Sequence, residues 1–180
     1  MTILFLPLDI DVDGLDFTQD ANAIKAGTWM DYWDASFITD EAVKSSGLDK
    51  VLKQLPFTKI TRLFHKIQTV EVPAHLDVQP QMILEPGEMD HIKSLEPAGY
   101  RIVLKGQTDS LSVFNGSEWC NVHLPRVPCC YLLNSTTAYH RLVEDPGRET
   151  IYVRGYLDPV EHKNLIERSL LKYTPLMSVS

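Results

Sequence analysis

The chain has 180 residues, 44% hydrophobic and 23% charged, a balance that fits one globular domain with a sizeable core and excludes a disordered chain. Its formal net charge of −7, with Lys and Arg scattered singly, excludes a broad electrostatic grip on nucleic acid or an anionic membrane but leaves room for a local basic pocket. No run approaches the roughly 20 apolar residues of a membrane span, and the three cysteines, two of them the neighbours Cys129 and Cys130, make a poor disulfide framework, so a reducing, cytoplasmic setting is expected.

Ile3 to Leu8 reads as a first strand. It lacks a basic leader, contains Pro7 and runs into Asp9, Asp11 and Asp13, so it does not read as a signal peptide. Residues 9–20 read as an acidic loop. Trp29, Tyr32, Trp33 and Phe37 follow at mixed spacing, as expected of core aromatics or a covering flap. Asp40 is expected to cap a helix that Gly47 interrupts. The helix resumes with Leu48, Val51, Leu52 and Leu55 at helical spacing, and Pro56 ends it.

From residue 58 the apolar period changes, and Ile60 to Ile67 reads as a strand, followed by Val70-Glu71-Val72 leading into His75. Residues 78–98 carry Pro80, Pro86, Gly87 and Pro97 and are expected to form a long loop, a candidate lid. The rest is β almost without break: Tyr100 to Leu104, a hairpin with Ser112-Val113-Phe114 and Glu118-Trp119-Cys120 around Asn115-Gly116, then Val127 to Leu133, Thr137 to Val143 and Thr150 to Leu157. Asp158-Pro159-Val160-Glu161 supplies an N-cap, a proline at the first helical position and the acid of a capping box. The sequence therefore predicts a single, mainly β domain over residues 1–180, of closed or sandwich type such as a jelly roll with a few flanking helices. Its core is expected over residues 58–158, supported by 1–57 and by a final helix over 159–173.

The chemistry is expected to centre on His75-Leu76-Asp77. Two residues apart on an extended segment, an imidazole and a carboxylate point to one side and supply two ligands of a 2-His-1-carboxylate metal site. Of the remaining histidines, His65 reads as a partly exposed strand residue. His91 falls in the long loop and His162 on the first turn of the last helix, and neither suits a rigid ligand. His123 is an alternative third ligand, and His140 is the best candidate, because the strands after Asp77 leave room for the chain to return beside it. Arg148, at a Pro-Gly turn leading into the next strand, could hold a carboxylate bidentately, and Arg154 shares its strand parity.

The stretch from Thr69 to Pro159 resembles the double-stranded β-helix core of the Fe(II)- and 2-oxoglutarate-dependent oxygenases, closest to the prolyl hydroxylase and aspartyl/asparaginyl hydroxylase branches. The resemblance implies that His75, Asp77 and His140 bind Fe(II), and that Arg148 or Arg154 clamps the far carboxylate of 2-oxoglutarate. It also implies that the strand holding Tyr100 and Arg101 lends the cosubstrate a second polar contact. The implied activity is hydroxylation of a C–H of an amino acid, free or in a peptide or protein, with release of succinate and carbon dioxide. The residues also admit a cupin-like metalloenzyme that does not use an oxo acid, with His123 or His140 as ligand. They admit a non-catalytic jelly-roll binding module as well.

Overall fold

The structure, a computed structural model, describes residues 1–20, 22–26, 32–77 and 85–179. In chain order the first half forms β1 (Ile3–Pro7), β2 (Trp33–Phe37), α1 (Asp40–Ser45), α2 (Leu48–Leu52), β3 (Phe57–Gln68), β4 (Val72–His75) and α3 (Glu88–Ser94). The second half forms β5 (Gly99–Lys105), β6 (Leu111–Phe114), β7 (Trp119–Asn121), β8 (Cys129–Leu133), β9 (His140–Leu142), β10 (Glu149–Leu157), α4 (Pro159–Leu170) and β11 (Leu176–Met177). The protein is mainly β. A seven-stranded sheet runs in the order β11-β1-β8-β5-β10-β3-β2 and a four-stranded sheet in the order β4-β9-β6-β7, and every pairing is antiparallel.

Both faces of the larger sheet are covered, and strand alternation sends its side chains to two separate cores. Val103, Cys129, Tyr131 and Leu133 pack with Val72, Leu111, Val113 and Leu142 of the smaller sheet. Tyr100, Ile102, Cys130, Leu132, Ile151 and Val153 pack on the opposite side, with Val51, Ile92 and Leu165 of the helices and with Leu8, Ile10 and Val12 of the N-terminal loop. Every side chain of β8 is consequently buried. The smaller sheet therefore lies over one face of the larger, and the space between them holds the candidate site.

The local signals behave as their chemistry dictates, with instructive exceptions. Gly47 adopts φ +75°, a left-handed conformation that separates α1 from α2. The cap of α1 is Thr39, whose hydroxyl accepts from Ala42 N, and Asp40 is the first helical residue. Asn115 accepts from the backbone N–H of Ser117 and Glu118, which closes the turn of the β6–β7 hairpin. Asp158 caps α4 by accepting from Val160 N and Glu161 N at 2.8 and 3.1 Å, but its own N–H donates to Pro56 O, so the reciprocal half of the capping box is replaced by a bond to the chain before β3.

Several expectations need correction. The second half of the expected 78–98 loop is not loop: α3 is anchored by buried Ile92 and by fully buried Glu88, which accepts from Thr61 Oγ1 at 2.9 Å. His91 lies on that helix and accepts from Leu157 N at 2.8 Å. Residues 78–84, like Trp29, lie outside the described residues. His65, expected to be partly exposed, is buried 3.2 Å from Glu149 because β3 lies inside the larger sheet, between β10 and β2. Cys120, Cys129 and Cys130 are free thiols, and among the described residues no helix is long and apolar enough to cross a membrane.

Replacing Asp158 by Ala should lower stability by about 1 kcal/mol, read from a urea melt. His65 and His162 are held neutral, since burial pushes both below the ordinary imidazole value. The Nε2–H of His162 donates to Leu95 O at 2.9 Å, so its Nδ1 accepts from the Tyr100 hydroxyl at 2.7 Å. The unfolded chain therefore takes up protons near pH 6.5 before the folded protein does, and stability falls as pH drops through that value toward the lower folded pKa. The melting temperature of metal-free protein should be lower at pH 5 than at pH 7, and the difference should shrink in His162→Asn.

Candidate metal centre

The centre begins with a strand pairing. β4 runs antiparallel to β9, and the register sets His75 directly opposite His140, with ring centroids 4.3 Å apart. β4 ends at His75. Asp77 therefore reaches the site from a bend beyond the strand, where its N–H donates to Ser135 O at 2.7 Å, and not by strand alternation. The His75 and His140 Nε2 atoms lie 3.6 and 3.7 Å from Asp77 Oδ1. One ligand atom from each residue falls within 4.8 Å of the others, so this trio, among the described residues, could hold a metal ion.

The two imidazoles are oriented alike. Nδ1 of His75 faces Pro73 O at 2.9 Å and Nδ1 of His140 faces Ala138 O at 3.2 Å. A carbonyl oxygen only accepts, so each Nδ1 carries the proton and each Nε2 presents its lone pair to the centre, the arrangement a metal requires. Burial pushes His140 down to about 4, although the Asp77 carboxylate pulls the other way, and the ring is neutral at ordinary pH. Burial would raise the Asp77 carboxyl, but Arg101 foremost, then His75, His140 and Arg154, hold it well below the usual carboxylate range. Its two oxygens divide the work. Oδ1 faces the imidazoles, while Oδ2 accepts from Arg101 Nη2 and, at 3.3 Å, from Arg154 Nη2.

These arginines come from the inner face of the larger sheet. On β5, Arg101 alternates with Ile102 and shares the side of Val103, and it lies opposite Tyr152 and Tyr131. On β10, Thr150, Tyr152 and Arg154 alternate with Ile151 and Val153, which face the helices. On β3, Lys66 lies opposite Thr150. The Arg101 guanidinium stacks 3.8 Å from the Tyr152 ring centroid, and Lys66 Nζ sits 3.9 Å from the same centroid and 5.5 Å from that of Trp33. Burial, reinforced by Arg101 and Arg154, lowers Lys66 to about 7.

Arg148 occupies the far end of the same face and is only 1% exposed. Its Nη1 donates to Ser110 Oγ at 2.7 Å and Gln107 O at 2.9 Å and lies 3.6 Å from Asp145. Its Nε and Nη2, and the hydroxyl of the neighbouring Thr150, have no partner among the described residues. Val113 of β6 pairs with His140, and Ser110 precedes it by three residues, so about 10 Å of strand separates the Arg148 end from the histidine row. Leu111, Val113, Val103 and Tyr131 belong to the apolar core between the two.

The expected residues thus divide. His75, Asp77, His140, Arg101 and Arg154 converge at one end of the inter-sheet space, and Arg148 lies at the other. Tyr100 does not join them. It alternates to the opposite face of β5, where its ring meets Phe57 and its hydroxyl meets His162, so the expected contact to a cosubstrate is withdrawn. His123 is exposed and no longer competes as a ligand. Lys66 and Thr150 were not anticipated. Only the register of β3 and β10 places them, and the residue types alone carry no such signal.

No protein-family model matches the chain, and no curated protein matches it.

Loss of an outer hydrogen-bond partner typically weakens metal binding 10–100-fold, so loss of a ligand should cost more. If the trio holds a divalent metal, His75→Ala and His140→Ala should each weaken its binding by more than about 100-fold in calorimetry, whereas Tyr100→Phe should bind as the parent does.

Proposed function

We propose that the protein is an Fe(II)- and 2-oxoglutarate-dependent dioxygenase that hydroxylates a C–H of an amino acid, free or within a peptide or protein. The observation that carries this reading is the pair of polar sites at opposite ends of one apolar space. Three metal-ligand side chains converge at one end, and a buried, incompletely partnered guanidinium lies about 10 Å away at the other. A five-carbon keto diacid that chelates a metal through one end needs a cation at about that reach for its far carboxylate.

The strand order supports the same reading. From β3 to β10 the chain passes back and forth between the sheets, larger for β3, β5, β8 and β10 and smaller for β4, β6, β7 and β9. That alternation supports reading the domain as a double-stranded β-helix, in which interleaved hairpins would close a jelly roll. Free cysteines fit the reducing, cytoplasmic setting that goes with an Fe(II) enzyme.

The residues present fit the cofactors. His75, Asp77 and His140 would hold Fe(II) on one face, with His140 neutral and the carboxylate ionised, as a 2-His-1-carboxylate mount requires. When bound, Fe(II) with 2-oxoglutarate and dioxygen supplies an oxidative decarboxylation whose oxidising power hydroxylates the substrate, leaving succinate and carbon dioxide. The chain's own part is positional. Pro73 and Ala138 carbonyls fix the imidazoles, and Arg101 and Arg154 turn Asp77 so that one oxygen is left for the metal. Arg148 Nε and Nη2 and the Thr150 hydroxyl supply the donors for the far carboxylate, and the aliphatic lining between excludes water. Arg154 is unsuited to that clamp. It is bonded to a metal ligand, too near the metal for the remote end of the cosubstrate.

Anaerobic addition of 2-oxoglutarate to the Fe(II) protein should give a visible charge-transfer band, and aerobic incubation should give succinate. Arg148→Met should keep Fe(II) affinity but weaken 2-oxoglutarate binding about 10- to 100-fold, the loss of a charge-assisted hydrogen-bonded pair. Unchanged 2-oxoglutarate affinity in Arg148→Met would remove the clamp. Metal binding with neither band nor succinate would return the centre to a metalloenzyme that uses no oxo acid.

A further inference from the structure

We propose that the organic substrate of this centre carries a carboxylate, and that Lys66 is the residue that receives it. The proposal rests on the oxygenase reading above and extends it to the substrate class.

The basic side chains Lys66, Arg101 and Arg154 stand on the adjacent strands β3, β5 and β10. Lys66 and Arg101 lie against the Tyr152 ring, and Arg101 and Arg154 reach Asp77 of the metal centre. Like charges gathered on one sheet face repel, and they do so more strongly away from water. Among the described residues, the carboxylates that interact with them are Asp77 and Glu96. Glu96 acts on Arg154 and is held by Thr136 Oγ1 at 2.7 Å and Ala98 N at 3.0 Å. Asp77 is shared by Arg101 and Arg154, and its other oxygen belongs to the metal.

Cofactor binding does not cancel the excess. The metal's two positive charges are matched by Asp77 and the chelating carboxylate of 2-oxoglutarate, and the far carboxylate goes to Arg148. The cationic face is left as it was, with one fewer anion to share. Lys66 is the least satisfied of its members. Its ammonium makes no hydrogen bond among the described residues and rests on the faces of Tyr152 and Trp33. An ammonium seated on aromatic rings beside a reaction centre is placed to hold a carboxylate while its rings bound the aliphatic part of the same molecule. A carboxylate fits better than a neutral group, because it balances the charge that folding has concentrated there.

The test uses full-length protein loaded with Zn(II) in place of iron and with 2-oxoglutarate. It is titrated calorimetrically with L-aspartate, L-glutamate, L-proline and L-leucine, with their carboxamides, and with short peptides ending in each residue as acid or amide. Substrate-stimulated succinate release from the Fe(II) protein is measured in parallel. The expected result is that at least one carboxylate binds and its carboxamide binds at least tenfold more weakly. Lys66→Met should lose the same factor and Lys66→Arg should recover most of it, while both variants, loaded anaerobically with Fe(II), keep the charge-transfer band with 2-oxoglutarate. Binding of no carboxylate in the panel, equal binding of acid and amide, or an unaffected Lys66→Met protein would overturn the proposal. Loss of the band in the parent protein would instead overturn the oxygenase reading beneath it.

Discussion

The antiparallel register between β4 and β9 is the constraint on which the rest of the site depends. It places His75 against His140 across two short strands, so that two imidazoles from distant parts of the sequence become neighbours without a loop to position them. Each ring is then turned by a carbonyl of its own segment, at Pro73 and at Ala138, two residues before it. A one-residue slip would send one ring to the other face of the smaller sheet, which is why a site built on strands is more exact than one built on loops. Ser135 completes the arrangement by holding the Asp77 backbone just past the end of β4.

Around that pairing the electrostatics are unbalanced by design of the sheet. Arg101, Arg148 and Arg154 are each almost entirely buried on the inner face of the larger sheet. Burying a guanidinium is costly unless it is paired, and replacing such groups with aliphatic side chains often stabilises a fold. Asp77 offsets part of the cost for Arg101 and Arg154, and Asp145 and Ser110 offset part for Arg148, but two of its nitrogens have no partner among the described residues. Burying such residues between two apolar layers is the feature on which the proposed binding of an anionic cosubstrate rests.

Much of this was legible in the residues and some was not, for reasons that differ from place to place. Asn115-Gly116 and Asp158-Pro159 are local signals that gave the expected turn and N-cap because such chemistry acts over a few residues. His75 and Asp77 meet as expected, but through a bend after β4 and not through strand alternation. The helix over 88–94 was hidden by Pro86, Gly87 and Pro97, which punctuate its ends and made the whole stretch look like loop. Tyr100 was misplaced for a deeper reason. Residues 99–103 are all buried, since both faces of the larger sheet are covered, so polar–apolar alternation cannot say which side chains look toward the site. Lys66 was missed for the complementary reason: its face is defined only by pairing with a strand far along the chain.

The ambiguity between Arg148 and Arg154 shows what the third dimension adds. The two share a parity on one strand segment, so alternation puts both in the inter-sheet space and cannot rank them. What separates them is the smaller sheet above. Asp77, arriving from the end of β4, lands on Arg154, and Ser110, leading into β6, lands on Arg148. One guanidinium is bonded to Asp77, and the other keeps two nitrogens without a partner among the described residues at the far end of an apolar space. Arg148, just before β10, and Arg154, on it, therefore share a side but have different partners, and the opposing sheet decides which partners each has.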